Sequence, residues 1–433
     1  MGELLEVREY ETIIGNKEYK NQYRYIEKNK FNELIEFIHA FDSDEKESDV
    51  LDFIKIGYKR NVGETVTFKN YVGLIQINNK FQIQILPKIE FAKGEKDETK
   101  QIFIKMIRSM KDFPSKVFTN ANLKFEKMNL YEIFINMYLQ EVRSLIKQGI
   151  KSAYIGQEDN LNVYKGKLLV EKHIKQNFIH KERFYVGFDE YQVNRAENKL
   201  IKSTLLKLQK LTSSMENSKE IRQLLTVFEL VEPSTNYDKD FAKVVINRHT
   251  KDYEMLIKWS KVFLKDKSFT TFSGTESSRT LLFPMEKVFE SYVAKNMKKI
   301  FSRVGWNVSA QDKGYYLFDT LNGEQYKKFA LRPDLVVTRE DGSIIILDTK
   351  WKNLTNNRRI NFGISQADMY QMYAYSKKYK TPDIWLLYPM NNEMRKSKPI
   401  RFESGDGVTV SVFFIDLYNI KESLEELLGI LEK

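Results

Sequence analysis

The stretch that most constrains this chain is Leu331–Lys352, LRPDLVVTREDGSIIILDTKWK. Two β-branched runs, Asp334–Thr338 and Ile344–Leu347, flank Asp341-Gly342, a hairpin signature. The second run is apolar at every position, so both of its faces need burial and it must be an interior strand. It ends in Asp348-Thr349-Lys350, which brings charge to the edge of a core. Alternation along a strand puts Asp348 and Lys350 on one face and Thr349 on the other.

Loop length decides what faces Asp334. A three-residue loop, Glu340-Asp341-Gly342, lets Gly342 take a left-handed bulge position; Arg339 then faces Ser343 and Asp334 faces Asp348. A two-residue loop would place Asp334 opposite Thr349 instead. Gly342 favours the longer loop. Two neighbouring carboxylates repel unless a cation sits between them. The oxygens of Asp334, Asp348 and the Thr349 backbone carbonyl suit Mg²⁺ or Mn²⁺. Such an ion acidifies a bound water and neutralises a phosphodiester, and Lys350 can stabilise developing negative charge. The pattern therefore points to a phosphodiesterase site. An Asp and a Lys closing a buried strand also form the polar lip of many cores, so context has to decide.

The 433 residues suggest two or three domains, and the net charge of +11 suits a polyanionic partner. The absence of cysteine excludes disulfides, zinc–thiolate sites and cysteine nucleophiles. His39, His173, His180 and His249 include no i, i+4 pair. The acidic N-terminus lacks the apolar core of a signal peptide, and no apolar run reaches membrane-spanning length, so a soluble cytoplasmic protein is expected. No GxxxxGK[ST] loop occurs, so no nucleotide is expected on a P-loop of this chain.

The reading is α+β and multidomain. Residues 1–128 form a β-rich domain with one early helix, Phe31–Phe41, followed by an acidic loop. Strands follow, with a hairpin turn at Asn78-Asn79-Lys80 and a ladder that Pro87 ends. Asp97 is expected to cap a helix running to about Asp112. Residues 129–275 read as a mainly helical middle domain, with an Asn129 cap, helices near 196–213, 217–230 and 249–265, and a linker at 267–279. Within it, residues 164–195 are basic and aromatic, a mix that suits nucleic acid or a packed domain surface equally. Residues 276–433 read as an α/β domain with a mixed central sheet. Its first helix carries Glu286 and Glu290 on one face, either able to reach a metal, with Glu290 one turn further in. A later helix pairs Gln366 with Tyr370 and Gln371 with Tyr375. From Lys352 to Arg401 there are ten Lys/Arg and three Asp/Glu, a phosphate-tracking surface headed by Lys352, Arg358 and Arg359.

The C-terminal third resembles the PD-(D/E)xK nuclease superfamily in an ordered set: Glu290, Pro333-Asp334, Asp348-Thr349-Lys350 and Gln371-x-x-x-Tyr375. More of the chain resembles McrC, the nuclease subunit of McrBC modified-cytosine restriction systems. The stretches are IQILPKI (83–89), YKGKLLVEKHI (164–174), FDEYQVNRAENKLIKSTL (188–205), FPMEKVFESYV (283–293) and DMYQMYAY (368–375). The resemblance implies a restriction-endonuclease-like C-terminal domain that cuts double-stranded, modified DNA. It also implies an N-terminal part that docks on a McrB-like AAA+ GTPase hexamer and stimulates it. By position, Asp334 and Asp348 become metal ligands, Lys350 the catalytic lysine and Glu290 the helix acid, with Gln371 and Tyr375 supporting the site or touching DNA. The alternative is a non-catalytic adaptor whose silent nuclease fold regulates an AAA+ NTPase.

Overall fold

The computed structural model describes residues 3–42, 54–77, 81–89, 96–110, 128–265, 279–319, 327–395 and 399–432. Contacts divide the chain into two compact units, one formed by Pro114–Ser268 and the other by Gly2–Phe113 together with Phe269–Lys433. The first and third segments, read separately from the sequence, therefore contribute to one unit. No helix among the described residues is long and apolar enough to cross a membrane.

The unit built from both ends begins with β1 (Glu3–Arg8), β2 (Thr12–Ile14), β3 (Arg24–Tyr25) and α1 (Lys28–Asp42). It continues with β4 (Ile54–Lys59), β5 (Gly63–Phe68), β6 (Tyr71–Gln76), β7 (Phe81–Leu86) and α2 (Lys96–Ile107), which stops short of the expected Asp112. The acidic loop, the Asn78-Asn79-Lys80 turn and nearly all of the 267–279 linker lie outside the described residues. The helical spacing read over Phe31–Phe41 is realised: Phe31, Leu34 and Ile38 pack on Val66, Phe68, Ile83 and Ile85. One sheet has the order β3-β2-β5-β4, and another β1-β7-β6.

In the middle unit come α3 (Leu130–Gln148), β8 (Ala153–Leu161), β9 (Lys167–Leu168), α4 (Val170–Asn177), β10 (Phe184–Gln192), α5 (Ala196–Leu211), α6 (Met215–Val227), α7 (Tyr237–Lys243) and α8 (Glu254–Lys265). Asn129 caps α3 as expected, accepting from the Glu132 N–H at 2.9 Å. The three-stranded sheet β8-β10-β9 was not expected. Of the residues in its three strands only Val186 is buried, so they show no regular apolar alternation to read.

The end-built unit resumes with β11 (Arg279–Pro284), α9 (Met285–Phe301), β12 (Asn307–Ala310), β13 (Tyr316–Asp319), β14 (Lys327–Ala330), β15 (Leu335–Thr338) and β16 (Ile344–Thr349). Then follow α10 (Gln366–Tyr379), β17 (Asp383–Pro389), β18 (Ile400–Glu403), β19 (Thr409–Ile415) and α11 (Ile420–Leu431). β11 completes the N-terminal sheet, antiparallel to β6, with Leu282 opposite Gly73. Gly73 has φ +145°, and a Cβ there would lie 1.9 Å from the Leu281 carbonyl oxygen, so only glycine admits this pairing. The central sheet, β12-β15-β16-β17-β19-β18, is mixed: β16, β17 and β19 are mutually parallel and the other pairs antiparallel. The apolar β16 is interior, as its composition requires. Val336, Ile346, Ile384 and Leu386 face Met372, Tyr375 and Tyr379 of α10. The alternate residues point to the other side, where α9 contacts β16 and α11 contacts β19.

Candidate active site

The β15–β16 hairpin sets the geometry. Leu335 pairs with Leu347 and Thr338 with Ile344, so Asp334 stands across from Asp348. The Arg339 N–H donates to the Ser343 carbonyl at 2.9 Å, and Gly342 has φ +81°. This is the three-residue loop. Asp334, however, precedes the first residue of β15, where strand alternation no longer aims the side chain. Its Oδ2 accepts from the Thr349 N–H at 2.8 Å and the Thr349 hydroxyl at 2.6 Å. The carboxylate thus turns along the sheet edge to Thr349, although its backbone stands opposite Asp348.

Asp348 is 2% exposed, the deepest of the cluster. Lys350 Nζ lies 2.7 Å from its Oδ2, an ion pair by distance. Lys350 donates to Gln371 Oε1 at 3.0 Å, and Gln371 Nε2 donates to the Tyr375 hydroxyl at 2.7 Å. The helical i, i+4 spacing of Gln371 and Tyr375 therefore acts on the lysine head group.

The electrostatics link these groups. Burial, then the charge of Asp334, push the Asp348 carboxyl up to about 7 against the opposing pull of Lys350. Burial also raises Asp334, against the hydrogen bonds from Thr349 and the charge of Lys350. Burial and Asp334 push Glu290 up to about 7, opposed by a hydrogen bond with Gln311. For Lys350, burial pulls the ammonium down, but Asp348, Asp368 and Asp334 outweigh it, and its pKa ends above the usual value. The two helix acids separate: Glu290 is half-buried beside Asp334, while Glu286 is exposed and influences Glu9 and Lys88 instead.

Other expected contacts fall elsewhere. The Lys352 ammonium sits 2.8 Å from Asp368 Oδ2, in an ion pair rather than free for phosphate. Asp368 is 7% exposed and was missed by the sequence reading; the S-x-x-D spacing from its cap Ser365 was the available signal. Arg358 and Arg359 are exposed on the turn Arg358–Gly363, and among the described residues no hydrogen bond or ion pair ties them to the carboxylates. Gln311 was also missed. It has φ +54°, and its N–H donates to the Asp334 carbonyl at 2.9 Å.

Among the described residues no three His, Cys, Asp or Glu side chains converge on one point. A four-ligand protein cage is therefore absent from them. Mg²⁺ does not need one, because it takes one or two carboxylates and keeps several waters. Asp334 and Asp348 are carboxylates of the type it takes.

In the middle unit, the basic and aromatic stretch both packs and faces water. Phe184 meets Tyr164 edge-on at 5.7 Å and stacks on His173 at 6.2 Å. Tyr154 and Tyr191, directly opposite on β8 and β10, are 74% and 64% exposed.

The profile of a family described as McrBC 5-methylcytosine restriction system component matches residues 66–389. The chain is similar to a chain in the refined half-complex from a tetradecameric assembly of Thermococcus gammatolerans McrB AAA+ hexamers with bound McrC. That match has a TM-score of 0.69 and 18% identity, and covers 98% of this chain and 100% of the other, a likeness of fold. A second match, in the McrBC complex of the same organism, has a TM-score of 0.46 and 20% identity over 69% of this chain and 88% of the other. No curated protein matches the chain.

Proposed function

The chain belongs to the family of McrBC 5-methylcytosine restriction system components, and from that premise we propose that it is the McrC-type nuclease subunit. In this reading it is a Mg²⁺-dependent endodeoxyribonuclease that cuts modified double-stranded DNA in the cytoplasm. It works with a McrB-like AAA+ hexamer whose GTP hydrolysis it stimulates. The observation that carries the reading is the pairing of a half-buried and a buried carboxylate, Asp334 and Asp348, set beside an ammonium at the mouth of an interior strand. A core lip would gain nothing from an acid whose carboxyl is pushed up to about 7 by burial and by the charge of Asp334 beside it.

Asp334, Asp348 and the Thr349 carbonyl would hold the ion, with Glu290 alongside. When bound, Mg²⁺ would supply Lewis acidity that offsets phosphate charge and acidifies a water. The Glu290 carboxyl, held near 7, can accept a proton near neutral pH. Lys350, steered by Gln371 and Tyr375, offsets the charge that builds on the phosphate oxygens during in-line attack.

The adaptor reading draws on one feature: Lys350 already neutralises Asp348 without any ion. One experiment separates the two. In the complex with its AAA+ partner, on methylated plasmid with GTP and Mg²⁺, Asp348→Ala and Lys350→Ala should cut roughly 10³-fold more slowly or worse while still assembling. Variants that cut at the wild-type rate would end the nuclease reading. A wild-type chain that stimulates GTP hydrolysis yet neither cuts DNA nor binds Mn²⁺ would establish the adaptor.

A further inference from the structure

The motif Ile83–Ile89, IQILPKI, has no part in the site described above, yet it ends at the nuclease strand. Lys88 follows β7. Its Nζ donates to the backbone carbonyl of Trp351 at 3.0 Å, and its N–H donates to Glu9 Oε2 at 3.1 Å. Glu9 follows β1, the parallel neighbour of β7, and is 3% exposed. Its carboxylate accepts the Trp351 indole N–H at 3.1 and 3.3 Å. Both polar atoms of the Trp351 side chain and carbonyl are thus held by the N-terminal sheet. Its ring lies 5.5 Å from that of Phe289, the residue before Glu290.

Trp351 directly follows Lys350. The last ladder bond of this strand end is the Lys350 N–H to the Leu387 carbonyl, and the chain then turns sharply, with the Lys352 N–H returning to the Lys350 carbonyl at 2.9 Å. Beyond that bond, the sheet no longer fixes the backbone. What does is a buried acid and a half-buried ammonium, each costly to desolvate and each dependent on the other. Burial raises the Glu9 pKa and lowers that of Lys88, and each offsets the other's shift. Apolar residues would join the two sheets at lower cost. Hydrogen bonds to the indole N–H and to one carbonyl add directional control.

We infer that Glu9, Lys88 and Trp351 form a positioning clasp, by which the N-terminal sheet sets where Lys350 and the Glu290 helix stand relative to Asp334 and Asp348. The inference rests on the nuclease reading of those residues. It makes Lys88 and Trp351 positioning residues, since neither touches the reacting atoms.

The test uses the full complex with its AAA+ partner and saturating methylated DNA in single-turnover cleavage. Trp351→Phe keeps the ring and deletes only the N–H; Lys88→Met keeps the length and deletes the ammonium; Lys88→Arg keeps the charge. Trp351→Phe and Lys88→Met should lower the single-turnover rate about 10- to 100-fold, as losses of supporting hydrogen bonds do. DNA affinity and GTP hydrolysis should stay within about twofold, and Lys88→Arg should recover most of the rate. Melting curves identify the temperature at which each variant is folded. Wild-type rates in folded Trp351→Phe and Lys88→Met would reduce the clasp to packing and overturn the inference. So would a Lys88→Met defect confined to DNA affinity, because that marks a phosphate contact. Asp348→Ala is run alongside. If it is dead while the clasp variants are normal, only the clasp falls; if it cuts normally, the nuclease reading falls and the clasp with it.

Discussion

Glu132 in the middle unit and Asp348 in the other unit are both carboxylates shut from water, 4% and 2% exposed. Glu132 is surrounded by donors: the Thr212 hydroxyl at 2.6 Å, the Ser213 N–H at 2.6 Å and the Asn217 amide at 2.7 Å, with the Ser213 hydroxyl and Ser214 N–H further out. It ties α3 to the loop between α5 and α6, and its negative charge is fully used in doing so. Asp348 has a second acid beside it and the Lys350 ammonium at 2.7 Å, and its carboxyl is pushed up to about 7 rather than held ionised by a ring of donors. A fold that wanted only stability would arrange Asp348 as it arranges Glu132. The difference separates a carboxylate that holds a structure together from one that is kept available at a cost in stability.

The contrast can be broken by near-isosteric amides. Glu132→Gln turns one acceptor oxygen into a donor facing donors, and should cost about 3 kcal/mol of stability, seen as a lower melting temperature. Cleavage at a temperature where it is folded should be retained. Asp348→Asn should do the reverse, melting at or above the wild-type temperature without metal while cleavage is lost. Equal melting losses in both would mean that Asp348 is structural as well.

A smaller effect sharpens the same contrast through pH. The Asp348 carboxyl sits at about 7 in the folded chain against an ordinary value of 3.8. Between those values the folded state holds a proton that the unfolded state has released, so metal-free stability must fall as pH rises from about 4 to 7. Asp334 and Glu290 are raised too and pull the same way. Asp348→Asn should flatten this decline by roughly 1–3 kcal/mol across the window. Melting temperature against pH in EDTA is the measurement, and parallel curves for the two proteins would contradict the assigned shift.

What could be read from residue order follows the range over which each interaction acts. The register of β15 and β16 was legible because Gly342, three residues into the loop, settles it locally. The i, i+4 pair Gln371 and Tyr375 was legible for the same reason, although its attachment to Lys350 was not. Asp334 escaped because it lies one residue outside the strand whose alternation would have aimed it. The union of β11 with β6 had no local sign beyond a glycine at 73, whose need appears only once Leu281 is across from it. Glu9, Lys88 and Trp351 meet over separations of 79 and 263 residues, beyond any periodicity or motif. The β8–β10 pair failed for a different reason: its strands bury little, so they leave no hydrophobic pattern.

The smallest expected effect concerns cations rather than acids, and extends the comparison from committed to available groups. Lys352 is committed to Asp368, whereas Arg358 and Arg359 are exposed on their turn. If the surface after β16 tracks a DNA backbone, each free guanidinium releases about one counterion when it meets a phosphate. Arg358→Ala and Arg359→Ala should each lower the slope of log affinity against log salt by about 1, and weaken binding evenly across DNA sequences. Lys352→Ala should change the slope less, because its charge is already balanced and its loss frees the Asp368 carboxylate. Salt titrations of DNA binding by fluorescence anisotropy give the three slopes. A Lys352 effect larger than either arginine's would place the backbone against α10 instead of the Arg358–Gly363 turn, and would reassign the phosphate track to the side of the sheet that Asp348 and Lys350 face.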